Sequence, residues 1–219
     1  MQPPFEAAKQ AASSNPYAAY LRLPELLALQ EPLSPAVRTA QWRTAQWRDE
    51  HLFIVVHQAA ELLLSHALVE LWQAREAPAR TGGRCPVVDA LRRVRELLDQ
   101  LEHLLGLLDS LTPAQFHAFR PLLGEASGGQ SLQFAALLHQ IDSPDCGLPA
   151  HARTAEVAGP LEQLRTSAQR WKLRHLRLVE RMIGDTAGTG GTDGVDYLRS
   201  RIDPEVLHQG AHPEDGEEE

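Results

Sequence analysis

Apolar residues recur at three- and four-residue intervals through most of this chain, and nowhere does a strict two-residue alternation take over. That period belongs to helices with one buried face and not to half-buried strands. The strongest case runs from Asp49 to about Arg75. There Leu52, Val56, Ala59 and Leu63 form one stripe, and Phe53, His57, Ala60 and Leu64 form its neighbour. Two adjacent stripes make a helix apolar over most of its circumference, which predicts a central place in a bundle. Val87 to Asp109 alternates Leu and Val with Arg and Glu at helical spacing. Thr112-Pro113 reads as a cap with proline at the first helical position, opening a helix through Phe119. Ser131 opens another to about Ile141, and a last long helix spans about Glu156 to Ile183. Asn15 caps a short helix from Tyr17 that Pro24 interrupts, and another short one ends near Arg201. Breaks fall at Gly82-Gly83, at Ser127-Gly128-Gly129 and between Asp142 and Pro149. Leu and Ala dominate the apolar set and aromatics are only 5% of the chain, a balance that favours helix over sheet. The expected fold is all-α, a helical bundle. The sequence predicts a flexible N-terminus over 1–16, a single helical domain over 17–201 and an acidic disordered tail over 202–219.

The 219 residues carry 21 Lys and Arg against 29 Asp and Glu, a formal charge of −8. Glu214, Asp215, Glu217, Glu218 and Glu219 crowd the end, so the body is nearly neutral. No basic stripe supports a nucleic-acid partner. Cys85 and Cys146 lie far apart and form neither a CxxC zinc pair nor a haem-attachment motif; they read as free thiols of a reducing compartment. The start, Met1-Gln-Pro-Pro-Phe-Glu, lacks the basic and apolar regions of a signal peptide. No apolar run is expected to reach the ~18–20 residues of a membrane span. A cytoplasmic protein without a membrane partner follows. Thr-Ala-Gln-Trp-Arg occurs twice in tandem from Thr39 to Arg48, too short a unit for a solenoid, and reads as a loop or helix extension.

Of ten histidines, His208 and His212 have metal-compatible spacing but sit in the acidic tail. His51, His66, His103, His117, His139 and His151 have no evident partner. His57 and His175 differ, because each lies in the apolar stretch of a long helix. Either they are core histidines satisfied by a carbonyl, or two imidazoles from separate helices face one pocket. Helical bundles hold cofactors in that way, and imidazole is a common axial ligand of haem iron. The run Gly188-Thr-Gly-Gly-Thr-Asp-Gly194 follows a helix and has Asp193 where a third glycine is needed, so a dinucleotide fingerprint fails. It is a helix cap and linker, or a loop whose Thr189, Thr192 and backbone N–H groups wrap an anion. Arg120 either complements a helix dipole or grips a carboxylate bidentately. Ser127 has no serine-hydrolase context.

Six segments, in order, resemble the tryptophan 2,3-dioxygenase family. They are Tyr17-Ala-Ala-Tyr-Leu-Arg-Leu23, Asp49-Glu-His-Leu-Phe-Ile-Val-Val-His-Gln-Ala-Ala-Glu-Leu62 and Leu111-Thr-Pro-Ala-Gln-Phe-His-Ala-Phe-Arg120. Then come Leu123-Gly-Glu-Ala-Ser-Gly-Gly-Gln-Ser-Leu-Gln133, Trp171-Lys-Leu-Arg-His-Leu-Arg-Leu-Val-Glu-Arg-Met-Ile-Gly184 and Gly188-Thr-Gly-Gly-Thr-Asp-Gly-Val-Asp-Tyr-Leu198. The resemblance implies a bundle enclosing a b-type haem, with His175 as the axial ligand of its iron. It implies His57 as the distal catalytic group meeting the substrate's indole N–H, and Phe53 packing on the indole. Arg120 would hold the substrate carboxylate and Thr189 the amino-acid end, with Ser127 and Gly128 as further substrate-binding residues on the nearby loop. Tyr17, Tyr20 and Leu21 match a segment that reaches into a neighbouring subunit's pocket, so a homo-oligomer, a tetramer in the family, is implied. The implied reaction inserts both atoms of O₂ into L-tryptophan to give N-formylkynurenine.

The chain departs from the family pattern in three places. Phe116 stands where the family has a tyrosine, Gly129 where it has a phenylalanine, and only 41 residues separate Gln133 from His175, a much shorter stretch than the family's. These leave two alternatives beside the dioxygenase: a haem-dependent monooxygenase of an indole or modified tryptophan, and a haem or tryptophan binder without turnover.

Overall fold

A computed structural model describes residues 15–35, 44–77, 85–184, 186, 194–204 and 206. Among them every regular element is helical: α1 (Pro16–Leu21), α2 (Leu23–Leu26), α3 (Ala45–Glu76), α4 (Pro86–Leu108), α5 (Pro113–Phe119), α6 (Leu132–Asp142), α7 (Ala155–Ile183) and α8 (Val195–Arg199), with short 3₁₀ turns between.

Local chemistry sets the helix starts. The Asn15 side chain accepts the Ala18 N–H at 2.7 Å, so α1 begins at Pro16. Pro24 does not break a helix; it sits in the first turn of α2, after Arg22 takes the left-handed conformation at φ 52°. Helix α3 starts four residues before Asp49 because Thr44 caps it, accepting the Trp47 N–H at 3.1 Å. The second copy of the tandem pentapeptide is therefore the cap and first turn of α3, while residues 39–43 lie outside the described residues. Thr112 and Gln115 form a reciprocal capping box on α5, and Ser131 caps α6, both as the sequence indicates.

Helix α4 packs against α3 and α7. Helix α6 and helix α5 each touch both α3 and α7, and α8 lies on α7. The larger core joins Leu64 and Leu71 of α3, Leu91 and Leu98 of α4, Leu137 and Ile141 of α6 and Leu164 of α7. A smaller one gathers Val56, Leu105, Leu108, Leu111, Leu178 and Met182. Trp171 and Leu104 pack against both. Contrary to expectation, α3 is long and apolar enough to cross a membrane by length and composition. Here it is a bundle wall, burying Val56, Leu64, Ala67, Leu71 and Ala74 against its neighbours. Outside the cores, Arg170 bridges Asp99 and Glu102 of α4 at 2.6 and 2.5 Å, and Arg174 pairs with Asp109.

Candidate functional site

The smaller core is hollow. It surrounds a cavity of about 170 Å³, far beyond the roughly 10–15 Å³ that one water needs. Helix α3 contributes Phe53 and His57, which are one turn apart and so face the same side. Helix α4 contributes Leu105 and Leu108, and α7 contributes His175, Leu178, Val179 and Met182 at helical spacing. Phe116 and Arg120 come from α5 and the turn after it, Ser127 to Gly129 from the next turn, and Tyr197 from α8. The two imidazoles singled out by the sequence thus share one pocket.

The geometry fixes the chemistry of His57. Its Nδ1 lies 2.8 Å from the Phe53 carbonyl oxygen, which can only accept, so Nδ1 carries the hydrogen. Desolvation lowers its pKa, against smaller opposing effects of that carbonyl and of Glu61. The ring is therefore neutral near pH 7, and Nε2 presents a lone pair. His57 is a hydrogen-bond acceptor toward the cavity. Its ring is packed by Phe53 at 4.0 Å between centroids, and Phe53 is braced by Phe119 and Phe116 at 5.5 and 5.9 Å.

His175 is the mate from α7. Burial, with a smaller repulsion from His57, pushes its pKa down to about 4. A neutral imidazole is the form that ligates a metal. Among the described residues neither ring nitrogen of His175 makes a hydrogen bond, and no three His, Cys, Asp or Glu side chains cluster to hold a bare ion. One imidazole on an apolar cavity fits a metal already held in a plane by a macrocycle, as in haem.

Arg120 is the one Lys or Arg in the cavity wall among the described residues. Its Nη1 donates to Thr186 Oγ1 at 3.2 Å, and that hydroxyl donates to the Ile183 carbonyl at 2.7 Å. A tether thus runs from the guanidinium to the end of α7. Ser127 Oγ accepts the Gly129 N–H while the Gln130 side chain accepts the Ser127 N–H, closing the turn on itself. A Cβ at Gly129 would meet only Ser127 Oγ, at 3.7 Å, so this turn has room for a side chain that it lacks. Phe116 meets Phe119 edge-on at 5.4 Å and presents no hydroxyl to the cavity.

The remaining candidates stand apart. Tyr17, Tyr20 and Leu21 are exposed on α1, Tyr20 at 87%, and do not line this cavity. Thr189 lies outside the described residues, although Thr186 before it bonds Arg120 and Gly194 after it lines the cavity. Of the histidines expected to lack partners, His151 meets the Ala77 carbonyl at 2.9 Å, His103 the Asp99 carbonyl at 2.7 Å and His66 the Glu70 carboxylate at 3.3 Å. Sequence reasoning gave no role to Thr186, Tyr197 or Trp171. Only Trp171 left a signal, standing one helical turn before His175.

A helical bundle with an apolar cavity, two neutral imidazoles on separate helices and a guanidinium in its wall defines a class: an all-α protein built around a core ligand. The chain belongs to the tryptophan 2,3-dioxygenase family, whose family model matches residues 4–144 and 145–208. It is 29% identical, over an alignment 255 positions long, to the tryptophan 2,3-dioxygenase of Pseudomonas aeruginosa strain UCBPP-PA14, covering 85% of this chain and 84% of that one. It is also 29% identical to the enzymes of the same name from Pseudomonas fluorescens, with 88% of each chain covered, and Burkholderia lata, with 90% and 83%. The chain is accordingly an enzyme of the dioxygenase class.

Proposed function

We propose that this protein is a haem-dependent dioxygenase that inserts both atoms of O₂ into L-tryptophan, cleaving the indole C2–C3 bond to give N-formylkynurenine. The observation that carries the reading is the pairing of His57 and His175 across one cavity, each neutral and one with a defined acceptor nitrogen. His175 is the residue to hold haem b through its iron, and the haem when bound supplies the redox chemistry with O₂. His57 Nε2 accepts the indole N–H and so orients the ring. Phe53, locked among phenylalanines, supplies the flat apolar wall that an indole needs. Arg120 exchanges its Thr186 contact for the substrate carboxylate, and Thr189 with the turn at Ser127 and Gly128 holds the amino-acid end. The leucines of α4 and α7 exclude water. Tyr17, Tyr20 and Leu21, exposed on their own subunit, complete the pocket of a neighbour in a homo-oligomer, a tetramer. The free thiols of Cys85 and Cys146 suit a cytoplasmic enzyme.

Haem-loaded, reduced protein mixed with L-tryptophan in air is expected to yield a product heavier by two oxygen atoms. A gain of one oxygen would make it a monooxygenase, and no gain a binder. His175→Ala is expected to lose the Soret band on reconstitution; an unchanged spectrum would remove His175 from its role.

A further inference from the structure

The second inference rests on His175 as the haem ligand and concerns what aims it. A metal-bound imidazole is ordinarily oriented by its other ring nitrogen, which donates to a carbonyl or carboxylate. Here the described residues offer His175 no such partner, and the α4 side chains in the cavity wall, Leu105 and Leu108, have nothing to accept with. A ring lies flat against it instead. Trp171 stacks on His175 with centroids 4.8 Å apart and planes 22° from parallel. Side chains on a helix lean toward its N-terminus, so residue 175 comes to rest over residue 171.

Trp171 is in turn held firmly. Phe134 of α6 meets it at 4.3 Å, and it packs against both cores. Its Nε1 is buried with no hydrogen-bond partner among the described residues. An indole that leaves its N–H unsatisfied is costly to bury, so what this position uses is the large rigid plane. We infer that Trp171 is a positioning residue for His175: the Phe134–Trp171–His175 stack fixes the plane of the ligating imidazole.

The test uses the full chain loaded with haem b, with affinity read from Soret titration and the imidazole plane from the electron paramagnetic resonance anisotropy of the ferric form. Trp171→Met keeps bulk without a ring; it is expected to bind haem about tenfold more weakly, as loss of an orienting partner does, and to shift the ferric signal. Trp171→Phe restores a plane and is expected to stay within about threefold of the parent with an unshifted signal. Phe134→Leu leaves the His175 contact intact and loosens its support, so it shifts the signal in the same direction by less; it carries the test if Trp171→Met does not fold. A ferric signal unmoved in Trp171→Met, or in Phe134→Leu where that carries the test, overturns the inference even if the haem-free protein melts lower. Haem binding and spectra untouched in His175→Ala would instead overturn the ligand reading beneath it.

Discussion

At the scale of single residues the site divides into groups that read charge and groups that read shape. Arg120 reads charge: Arg120→Leu is expected to weaken L-tryptophan about 10–100-fold, the worth of a charge-assisted hydrogen bond, and plain indole within about twofold. Equal losses, measured by ligand titration, would take the carboxylate away from Arg120. Phe116, one helical turn before Arg120 and in the same wall, can be given the hydroxyl it lacks. Phe116→Tyr is expected to lower the KM for L-tryptophan by about tenfold if the new group reaches the carboxylate. His57 and His175 give the haem-free protein a pH signature. Both have pKa values below the ordinary 6.5, so the unfolded chain binds protons that the folded chain refuses. Their contribution is whole above pH 6.5 and falls as pH drops below it, that of His175 being lost as pH falls through about 4. Urea unfolding is expected at a lower midpoint at pH 5.5 than at 7.5, and His57→Leu is expected to shrink that difference.

At the scale of elements, helix starts were legible because they are written in side-chain chemistry. Thr112 with Gln115, Ser131 and Asn15 each cap the helix that the sequence assigns them. Helix α3 starts four residues before Asp49 for a related reason. Thr44, inside the repeat, supplies the cap, and the apolar stripe that begins at Leu52 carries no mark of it. What had no local signature is the anchoring of one segment on another. Glu50 is buried at 2% exposure on α3, and its two oxygens accept the N–H groups of Leu33 and Ser34 at 2.8 and 2.7 Å. Gln58, two turns on, donates to the Leu29 carbonyl at 3.0 Å and accepts from Gln30 at 2.6 Å. Together they clamp residues 29–34 along the helix that carries Phe53 and His57. Glu50→Ala leaves two amides without their acceptor and is expected to cost roughly 2–3 kcal/mol. Amide exchange at Leu33 and Ser34 should accelerate with it, and unchanged exchange would mean that something else holds the strap.

At the scale of the whole molecule, the bundle brings together side chains from α3, α4, α5, α7 and α8 that lie up to 145 positions apart, Phe53 and Leu198 being the two extremes. Periodicity gave the helices and the apolar faces, but not which faces meet around a void, since a hollow core and a filled one need the same stripe. Spacing alone fits two separate core histidines equally well, and only the fold brings His57 and His175 to one cavity. Tyr17 and Tyr20 are the opposite case, aromatic side chains left in solvent at 68% and 87% exposure, where burial would be worth most. In the proposed oligomer each arm serves a neighbour's cavity, and this makes a prediction that no single chain can show. A Tyr20→Ala protein keeps its own Arg120 but lends a defective arm; an Arg120→Leu protein has a defective cavity but lends an intact arm. Each alone is expected to turn over poorly. Unfolding and refolding the two together creates mixed assemblies in which an intact arm meets an intact cavity, so activity should rise above the sum of the separately refolded proteins. If mixing yields only that sum while light scattering shows an oligomer, the arms act within their own subunit and the cavity needs no neighbour.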